Sequence, residues 1–237
     1  DLYDTGPAFR DSDAGERVVV PALQSMDLRR LDTLLISHPD ADHRGGARSV
    51  LERYPAGLLL GAGLGSRRVT PCEAGSGWRW DGFEFEILSP AAGAAPDDDN
   101  AGSCVLRISG AGARLLLPGD IPASVEQVLV SDPDFGPVDL VVAAHHGSRT
   151  SSSRSFVEAT RPRFVVFSTG YRNRWHFPAT EVLERWRGSG ACTLDTGEQG
   201  ALQFAVSPGS ALRLVSRQRD VVGGLWPARP AAAASCR

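Results

Sequence analysis

The sequence of 237 residues contains no lysine, so all 25 of its basic residues are arginine. We attribute this absence to compositional bias, although arginine makes bidentate phosphate contacts that lysine does not. The formal net charge of −3 argues against a free-standing, high-affinity binder of duplex DNA, which needs a broad basic face. The length is sufficient for one domain with a proper hydrophobic core.

Long apolar runs and closely paired cysteines are also absent. No apolar run approaches the length of a membrane span, and no signal peptide opens the chain. No CxxC pair occurs, which argues against a zinc ribbon. Cys104 lies in an apolar run and is predicted to be a small buried hydrophobic residue. Cys72 could pair with another cysteine, but the sequence does not give the partner.

The strongest functional signal is HPDADHRGG, residues 38–46. It follows the apolar residues 34–36, so we expect a buried strand to end at Ser37 and a tight loop to follow. Gly45 and Gly46 then allow close backbone approach where a helix begins. Two imidazoles and two carboxylates on one such loop favour di-metal hydrolysis. The alternative, in which Asp42 merely caps the next helix, accounts for one carboxylate only.

This segment resembles the HxHxDH signature of the metallo-β-lactamase superfamily, with Asp40 where the second histidine usually stands. Its HPDADHxGG form, with a later GD turn and HHGS loop, is similar to the C-terminal domain of the ComEC/Rec2 DNA-uptake proteins. Seven matching pieces occur in the family's order: residues 3–7, 38–46, 78–90, 100–108, 116–121, 145–153 and 171–183. The resemblance implies an α/β fold of the αββα type, a sandwich of two mixed β-sheets between helix layers.

Hydrophobic periodicity and turn residues predict the same kind of fold. We expect helices over residues 18–26, 45–53, 124–130, 156–160 and 180–187, strands over 34–37, 58–61, 138–143, 164–168 and 201–206, and hairpins over 78–88 and 103–117. Residues 90–102 are predicted to form a mobile loop. Residues 1–215 are predicted to form the hydrolase domain, and the Ala/Pro-rich residues 216–237 a disordered tail.

The first six residues are predicted to begin in the middle of a strand-and-turn motif. In the resembled family, one or more strands precede this turn and a large membrane-embedded portion precedes those strands. The resemblance therefore implies that the N-terminal strands are missing and that this chain is a fragment of an inner-membrane protein. It also implies that this domain faces the periplasm.

Two further ligand candidates follow predicted strands. Asp120 matches the superfamily's metal-bridging aspartate, and His145 matches its last ligand histidine. Taken alone, Asp120 would equally fit a turn and His145 a structural role. Loops that leave one edge of a sheet converge, so we expect these groups to meet the first motif. The predicted metal ligands are His38, Asp40, Asp42, His43, Asp120 and His145, with Asp42 or Asp40 as the catalytic carboxylate that orients the attacking water.

The sequence departs from the superfamily pattern at one metal position. No histidine lies between His43 and His145, and Asn100 and Ser103 stand where the superfamily has a ligand histidine. The position built from His38, Asp40 and this segment is therefore poor in nitrogen. Oxygen-rich ligation favours Mn²⁺, or Mg²⁺, over a tight zinc pair, with one or two ions bound.

Several polar residues after the histidine pair are candidates for substrate binding. Their hydroxyl and backbone N–H groups predict either a phosphate cradle or simply a helix cap. Trp175 and Phe177 predict either base stacking or core packing. The predicted set is His146, which would support a metal ligand or bind phosphate, with Ser148, Arg149, Thr150, Ser151, Arg174 and His176.

The resemblance implies a metal-dependent phosphodiesterase that degrades the non-transported strand of DNA beside a membrane channel. Its partners would be single-stranded DNA, the channel portion of the same parent protein and other DNA-uptake components. Two alternatives stay open from the sequence. One is a non-catalytic module that guides DNA and has a degenerate metal site, and the other is a general metallo-hydrolase of small esters.

Overall fold

The computed structural model describes residues 1–96, 98–221 and 236. The chain divides into two compact units. The first unit consists of Asp1–Ser76 and Ile87–Val105, and the second of Gly77–Glu86 and Leu106–Arg237. Each unit carries one part of the predicted site, and each is described here by itself.

The first unit contains a three-stranded parallel sheet in the order β1-β2-β3, formed by β1 (Leu2–Tyr3), β2 (Leu31–Ile36) and β3 (Ala56–Gly61). A π-helical turn (Gly15–Val19) leads into helix α1 (Val20–Ser25), and α2 (Ala41–Arg44) and α3 (Ala47–Arg53) follow β2. Leu34, Ile36 and Val50 are fully buried in one core cluster because the β2 run is apolar and α3 turns its apolar face towards it.

The second unit carries most of a seven-stranded mixed sheet. Its strands are β4 (Gly77–Trp80), β5 (Phe83–Ser89), β6 (Val105–Gly110), β7 (Ala113–Leu117), β8 (Leu140–Val142), β9 (Phe164–Phe167) and β10 (Cys192–Asp195), in the order β10-β9-β8-β7-β6-β5-β4. Strands β7 to β10 are parallel, and the pairs β4–β5 and β6–β7 are antiparallel. The last three residues of β5 and the first of β6 are counted in the first unit.

Helices and one separate hairpin complete the second unit. The helices are α4 (Ala123–Val130), α5 (Arg154–Thr160), α6 (Thr180–Gly188), α7 (Thr196–Gln199) and α8 (Gln218–Val221), and the hairpin pairs β11 (Leu202–Ser207) with β12 (Ser210–Arg217). Among the described residues, no helix has both the length and the apolar character that crossing a membrane requires.

The mixed α/β fold class is confirmed, and so are both predicted hairpins. The sheets differ in detail from the prediction of two mixed sheets, because the first is wholly parallel and β11–β12 forms a separate antiparallel pair. Strands β10 and β12 were not predicted. Strand β10 has only four residues and an ambiguous pattern, and its pairing with β9 is a tertiary contact that local periodicity does not reveal.

The expectations for Cys104 and for the C-terminal tail are wrong in part. Cys104 is buried, as predicted, but it is disulfide-bonded to Cys72, and a second disulfide joins Cys192 to Cys236. The tail predicted from residue 216 is wrong for residues 216–221, which complete β12 and form α8. Residues 216 and 217 pair with β11, and the side chain of Arg219 donates to the backbone oxygens of Gly197 and Glu198 in α7. The rest of that tail, apart from Cys236, lies outside the described residues.

Candidate metal centre

The first cluster lies on the loop that leaves β2. The side chains of His38 and His43 are buried, and their ring centroids are 4.1 Å apart. Asp40 Oδ2 lies 3.5 Å from His38 Nε2, while Asp42 is exposed on α2. The loop therefore brings His38, Asp40 and His43 together and places Asp42 beside them on a single helical turn.

The alternative role of Asp42 as a helix cap is wrong. Helix α2 begins at Ala41, so Asp42 lies inside its first turn and not before it. Asp40 occupies the N-cap position, yet its side chain accepts no capping hydrogen bond. Neither carboxylate is thus explained by the helix that follows the strand.

Gly45 and Gly46 have the close-packing role that the sequence predicts. A Cβ at Gly45 would clash with the backbone of Ala8 and Ala41, and one at Gly46 would clash with the backbone of Thr5 and Gly15. No larger residue fits, because the atoms in the way belong to the backbone. This close approach holds the loop against the turn that follows β1.

That turn contributes Asp4, a residue absent from the predicted site. Asp4 has φ +58°, an uncommon conformation that a short polar side chain tolerates. Its carboxylate accepts hydrogen bonds from Ser37 N at 2.7 Å and Ser37 Oγ at 2.9 Å, and it lies 2.8 Å from His43 Nδ1. The only sequence signal for Asp4 was its place in residues 3–7, one of the pieces that carry the family resemblance.

These contacts fix the tautomers of both histidines. A carboxylate can only accept, so His43 Nδ1 carries the proton that it shares with Asp4. The single hydroxyl proton of Ser37 is donated to Asp4, so His38 Nδ1, 2.9 Å from Ser37 Oγ, must donate to that oxygen. In its neutral form each ring therefore presents the lone pair of Nε2, the arrangement found in metal-binding histidines.

The second cluster lies at the carboxyl ends of two neighbouring parallel strands. Asp120 follows β7 and is buried, and its Oδ2 lies 3.7 Å from Nε2 of both His145 and His146. His145 follows β8, and its backbone N–H donates to Gly119 O at 3.1 Å. Asp120 and His145 therefore lie close together within the second unit. The two distances are equal, so they do not distinguish His145 from His146 as a ligand.

The histidine pair has unusual backbone conformations. His145 (φ +50°, ψ +45°) and His146 (φ +55°, ψ +15°) are both left-handed, and Gly147 follows at φ +86°. A Cβ at Gly147 would collide with Phe167 and Pro178. Left-handed conformations of residues with side chains cost on the order of 1–3 kcal/mol each and persist where the surroundings enforce them, often at functional sites.

Hydrogen bonds also orient this pair. His146 Nδ1 lies 2.8 Å from the backbone oxygen of Ser168, which can only accept, so this nitrogen donates and Nε2 holds the lone pair. His145 Nδ1 lies 3.2 Å from Thr150 Oγ1, and either atom can donate. Nε2 of each ring lies 3.7 Å from the Asp120 carboxylate, and the lone pair of His146 Nε2 is favourable beside a carboxylate only with a proton or cation present.

Glu126 of α4 anchors the loop that follows the pair. Its fully buried carboxylate accepts hydrogen bonds from Ser152 N at 2.5 Å and Ser153 N at 2.7 Å. Burial raises the pKa of Glu126, opposed by these hydrogen bonds and by the charge of Arg185. Sequence reasoning missed Glu126, because nothing local marks a helical glutamate as the partner of a loop 26 residues away.

The predicted phosphate cradle does not fit the contacts of its serine residues. Ser151 is buried and donates to Ile121 O at 2.7 Å, so its hydroxyl is used in packing. Ser148 is also buried, and its hydroxyl lies 3.0 Å from Thr150 Oγ1. The N–H groups of Ser152 and Ser153, just before α5, donate to Glu126, and Phe156 N in the first turn donates to Ser153 Oγ at 3.3 Å. Thr150 alone among these residues is exposed beside His145.

The remaining predicted substrate residues are exposed. Arg149 forms a surface ion pair with Glu181 at 2.9 Å, and Arg174 lies over the ring of Trp175 at 4.4 Å. His176 is exposed with φ +56°. Trp175 is exposed, which excludes the core alternative for this residue, whereas Phe177 is half-buried against both histidines of the pair.

The donor set fits a divalent cation. In three of the four histidines of the two clusters, Nδ1 donates a hydrogen bond to an acceptor, so that Nε2 is presented as a ligand atom. These are His38, His43 and His146. Asn100, which stands with Ser103 where the superfamily has a ligand histidine, has a buried Oδ1 with no hydrogen-bond partner among the described residues. An unsatisfied buried amide oxygen is costly, and a hard cation is a natural partner for it.

The chain matches the metallo-β-lactamase superfamily over residues 1–170 and belongs to that superfamily. Members of the superfamily are generally hydrolases, and the fold uses divalent metals. The predicted family is thereby confirmed. Within it, the sequence is similar to competence proteins, which are much longer than this chain.

Two of these relatives exceed 35% identity. Competence protein ComA of Neisseria gonorrhoeae is 38% identical over 211 residues, which cover 88% of this chain and 29% of the relative. Recombination protein 2 of Haemophilus influenzae is 37% identical over 187 residues, which cover 78% of this chain and 23% of the relative. ComE operon protein 3 of Bacillus subtilis is 27% identical over 206 residues, which cover 80% of this chain and 26% of the relative. The chain thus spans less than a third of each of these relatives.

Solved structures support the fold. CmlA, a diiron β-hydroxylase from Streptomyces venezuelae, superposes with a TM-score of 0.55 and 16% sequence identity over 79% of this chain and 45% of that chain. At this identity the likeness concerns the fold alone.

Proposed function

We propose that this chain is a divalent-metal-dependent phosphodiesterase domain that cleaves DNA. Its metal would be held by the predicted ligands His38, Asp40, Asp42, His43, Asp120 and His145. From the competence-protein relatives we infer that the parent protein is an inner-membrane protein of natural transformation, that this domain faces the periplasm, and that the domain degrades the strand that is not transported. Its partners would then be single-stranded DNA, the channel portion of the same protein and other DNA-uptake components.

One observation carries the metal-dependent part of this proposal. The carboxylate of Asp4 sets the tautomers of His43 directly and of His38 through Ser37, so that both rings present Nε2 as a ligand atom. Histidines that served only packing would not need one tautomer on both rings. The oxygen-rich surroundings of His38, with Asp40 at 3.5 Å, favour Mn²⁺, with Mg²⁺ and Zn²⁺ as the other candidates.

A bound divalent cation would supply Lewis acidity, making hydroxide available near neutral pH and neutralising charge on the phosphate. The residues of the chain would do the rest. Asp42, which is exposed beside the buried His43, would orient a water molecule and accept its proton. Thr150, exposed and bonded to His145, can donate its hydroxyl proton to a phosphate oxygen.

The test is cleavage of end-labelled single-stranded DNA by metal-depleted protein with added Mn²⁺. The double variant Asp42→Ala/His43→Ala should lose cleavage. The double variant Arg30→Ala/Asp32→Ala is the matched control, because it removes a surface ion pair of the same unit and should cleave like the parent chain. Parallel reactions with Mg²⁺ and Zn²⁺ test the metal, and cleavage with zinc alone would contradict the preference for Mn²⁺.

The other outcomes identify the alternatives. Equal cleavage by the parent chain and the Asp42→Ala/His43→Ala variant would show that this site is not the nuclease. No cleavage by either, with salt-sensitive DNA binding retained, would assign the chain a guiding role instead. Hydrolysis of a small ester or thioester without cleavage of DNA would indicate a general metallo-hydrolase.

A further inference from the structure

An ordered loop between β9 and α6 exposes aromatic and arginine side chains. We name residues 170–178 (GYRNRWHFP) the stacking loop. Asn173 holds it together: its side-chain amide donates to Phe177 O at 2.8 Å, Phe177 N donates back to Asn173 Oδ1 at 2.8 Å, and Asn173 N donates to Gly170 O at 3.1 Å. These hydrogen bonds within the loop define its conformation without a ligand.

Two aromatic rings are displayed on this loop. Trp175 is 62% exposed, and the guanidinium of Arg174 lies 4.4 Å from its ring centroid. Tyr171 is 43% exposed and contacts the guanidinium of Arg172 at 5.2 Å and that of Arg219 at 4.8 Å. A tryptophan normally buries most of its large surface, so one left this exposed in a shaped loop suggests a ligand.

The stacking loop is attached to the second metal-ligand cluster. His146 Nδ1 donates to Ser168 O, just before the loop, and the Phe177 ring stacks on His146 with centroids 6.4 Å apart and an interplanar angle of 24°. A molecule lying on the loop would therefore run up to the histidine pair and Asp120.

We propose that the stacking loop binds unpaired nucleobases of single-stranded nucleic acid. Trp175 would stack one base, and Arg172 and Arg174 would contact the flanking phosphates. A guanidinium that stacks on an aromatic ring still presents its N–H edge to phosphate oxygens. Every base has a π-face, so this mode tolerates any sequence, and the bases of a duplex are already stacked in pairs. The inference rests on the proposed function in taking DNA as the substrate, and it adds how the strand is held.

The test measures binding without metal, so that no turnover occurs. A fluorescently labelled oligothymidylate of about 20 nucleotides is titrated with protein in EDTA and followed by anisotropy. Trp175→Ala should weaken binding about 5- to 150-fold, the range that stacking of one base accounts for. Trp175→Phe should restore most of the affinity. Trp80→Ala removes another exposed tryptophan of the same unit, on β4, and should bind like the parent chain.

A matched abasic oligonucleotide separates stacking from charge. Trp175→Ala should not alter its binding, because no base is present, whereas Arg172→Ala and Arg174→Ala should weaken both ligands and reduce the salt dependence. Trp175→Gln, which keeps a flat polar side chain on the surface, serves as a second variant whose folding is checked by circular dichroism; it should lose affinity as Trp175→Ala does.

Three results would overturn the inference. The first is equal binding of oligothymidylate by Trp175→Ala and the parent chain. The second is an equal loss of affinity for the abasic and the normal oligonucleotide. The third comes from a parallel experiment with vesicles of anionic phospholipid. If Trp175→Ala loses binding to the vesicles while its DNA binding stays intact, the loop would be assigned to a membrane surface. Because the assay contains no metal, Trp175-dependent binding without DNA cleavage would contradict the proposed function but uphold this inference.

Discussion

The carboxylate of Asp4 lies 2.8 Å from Nδ1 of His43, a residue 39 positions away in the sequence. Through Ser37 the same carboxylate also sets the proton on His38. One residue thus orients two imidazoles, and the orientation is the one that metal binding requires. Asp4 is a positioning residue, since it acts through other side chains.

Asp4→Asn should weaken Mn²⁺ binding about 10- to 100-fold, the usual effect of losing a carboxylate behind a ligand histidine. Asparagine tolerates the left-handed backbone, but it has only one acceptor oxygen and cannot accept from both Ser37 N and His43 Nδ1. The measurement is calorimetric titration of metal-free protein with Mn²⁺.

The control is Asp32→Asn, which removes a surface carboxylate of the same unit. Wild-type affinity in Asp4→Asn would refute the positioning role. Equal weakening in both variants would point to a general charge effect.

Metal binding should stabilise the folded chain. At a Mn²⁺ concentration of about 100 times Kd, the free energy of unfolding should rise by about 2.7 kcal/mol. His43→Ala, in the first unit, and Asp120→Ala, in the second, should each lose this gain, because we propose both residues as metal ligands. Urea unfolding with and without Mn²⁺ measures it. A full gain in either variant would remove that residue from the ligand set.

Glu126→Gln should change how stability depends on pH. Burial raises the folded-state pKa of Glu126 above its ordinary value, so the folded state holds this proton more tightly than the unfolded chain does. The contribution of this proton to the free energy of unfolding is therefore complete below a pH of about 4.5. It is lost as the pH rises through the folded-state pKa of Glu126. The free energy of unfolding of Glu126→Gln, compared with wild type, should shift in the variant's favour as the pH rises above about 4.5.

Urea unfolding of both proteins at several pH values measures this difference, in which all other titrating groups cancel. A difference that does not change with pH would contradict the raised pKa. Glu126→Ala should be the more damaging variant at every pH. It leaves the buried N–H groups of Ser152 and Ser153 without their acceptor, at about 1–3 kcal/mol for each unsatisfied group.

Removing the Cys72–Cys104 disulfide should destabilise the chain by about 2–4 kcal/mol, the typical contribution of a cross-link. The bond joins residues 32 positions apart, so it restricts the unfolded chain considerably. Cys72→Ser/Cys104→Ser is compared with wild type by urea unfolding. A loss of less than about 0.5 kcal/mol would show that the bridge restricts the unfolded chain very little.

Much of the fold was readable from the sequence because its signals are local. The two hairpins carry Asp81–Gly82 and Ala111–Gly112 at their turns, between alternating strands. Gly45 and Gly46 could be read as points of close approach because they followed a strand and a ligand-rich loop. Strand β10 could not be found in this way, since four residues become a strand only beside β9.

The sequence by itself determined the superfamily, the ligand-type residues and the strands that precede them, because residue type, spacing and periodicity are local properties. The tertiary structure alone decided which nitrogen His38, His43 and His146 present, that Ser151 is buried, and that Cys104 is oxidised. It also revealed Asp4 and Glu126 as partners of distant loops. Hydrogen-bond partners far apart in the chain are chosen by strand register and packing, which no local pattern contains.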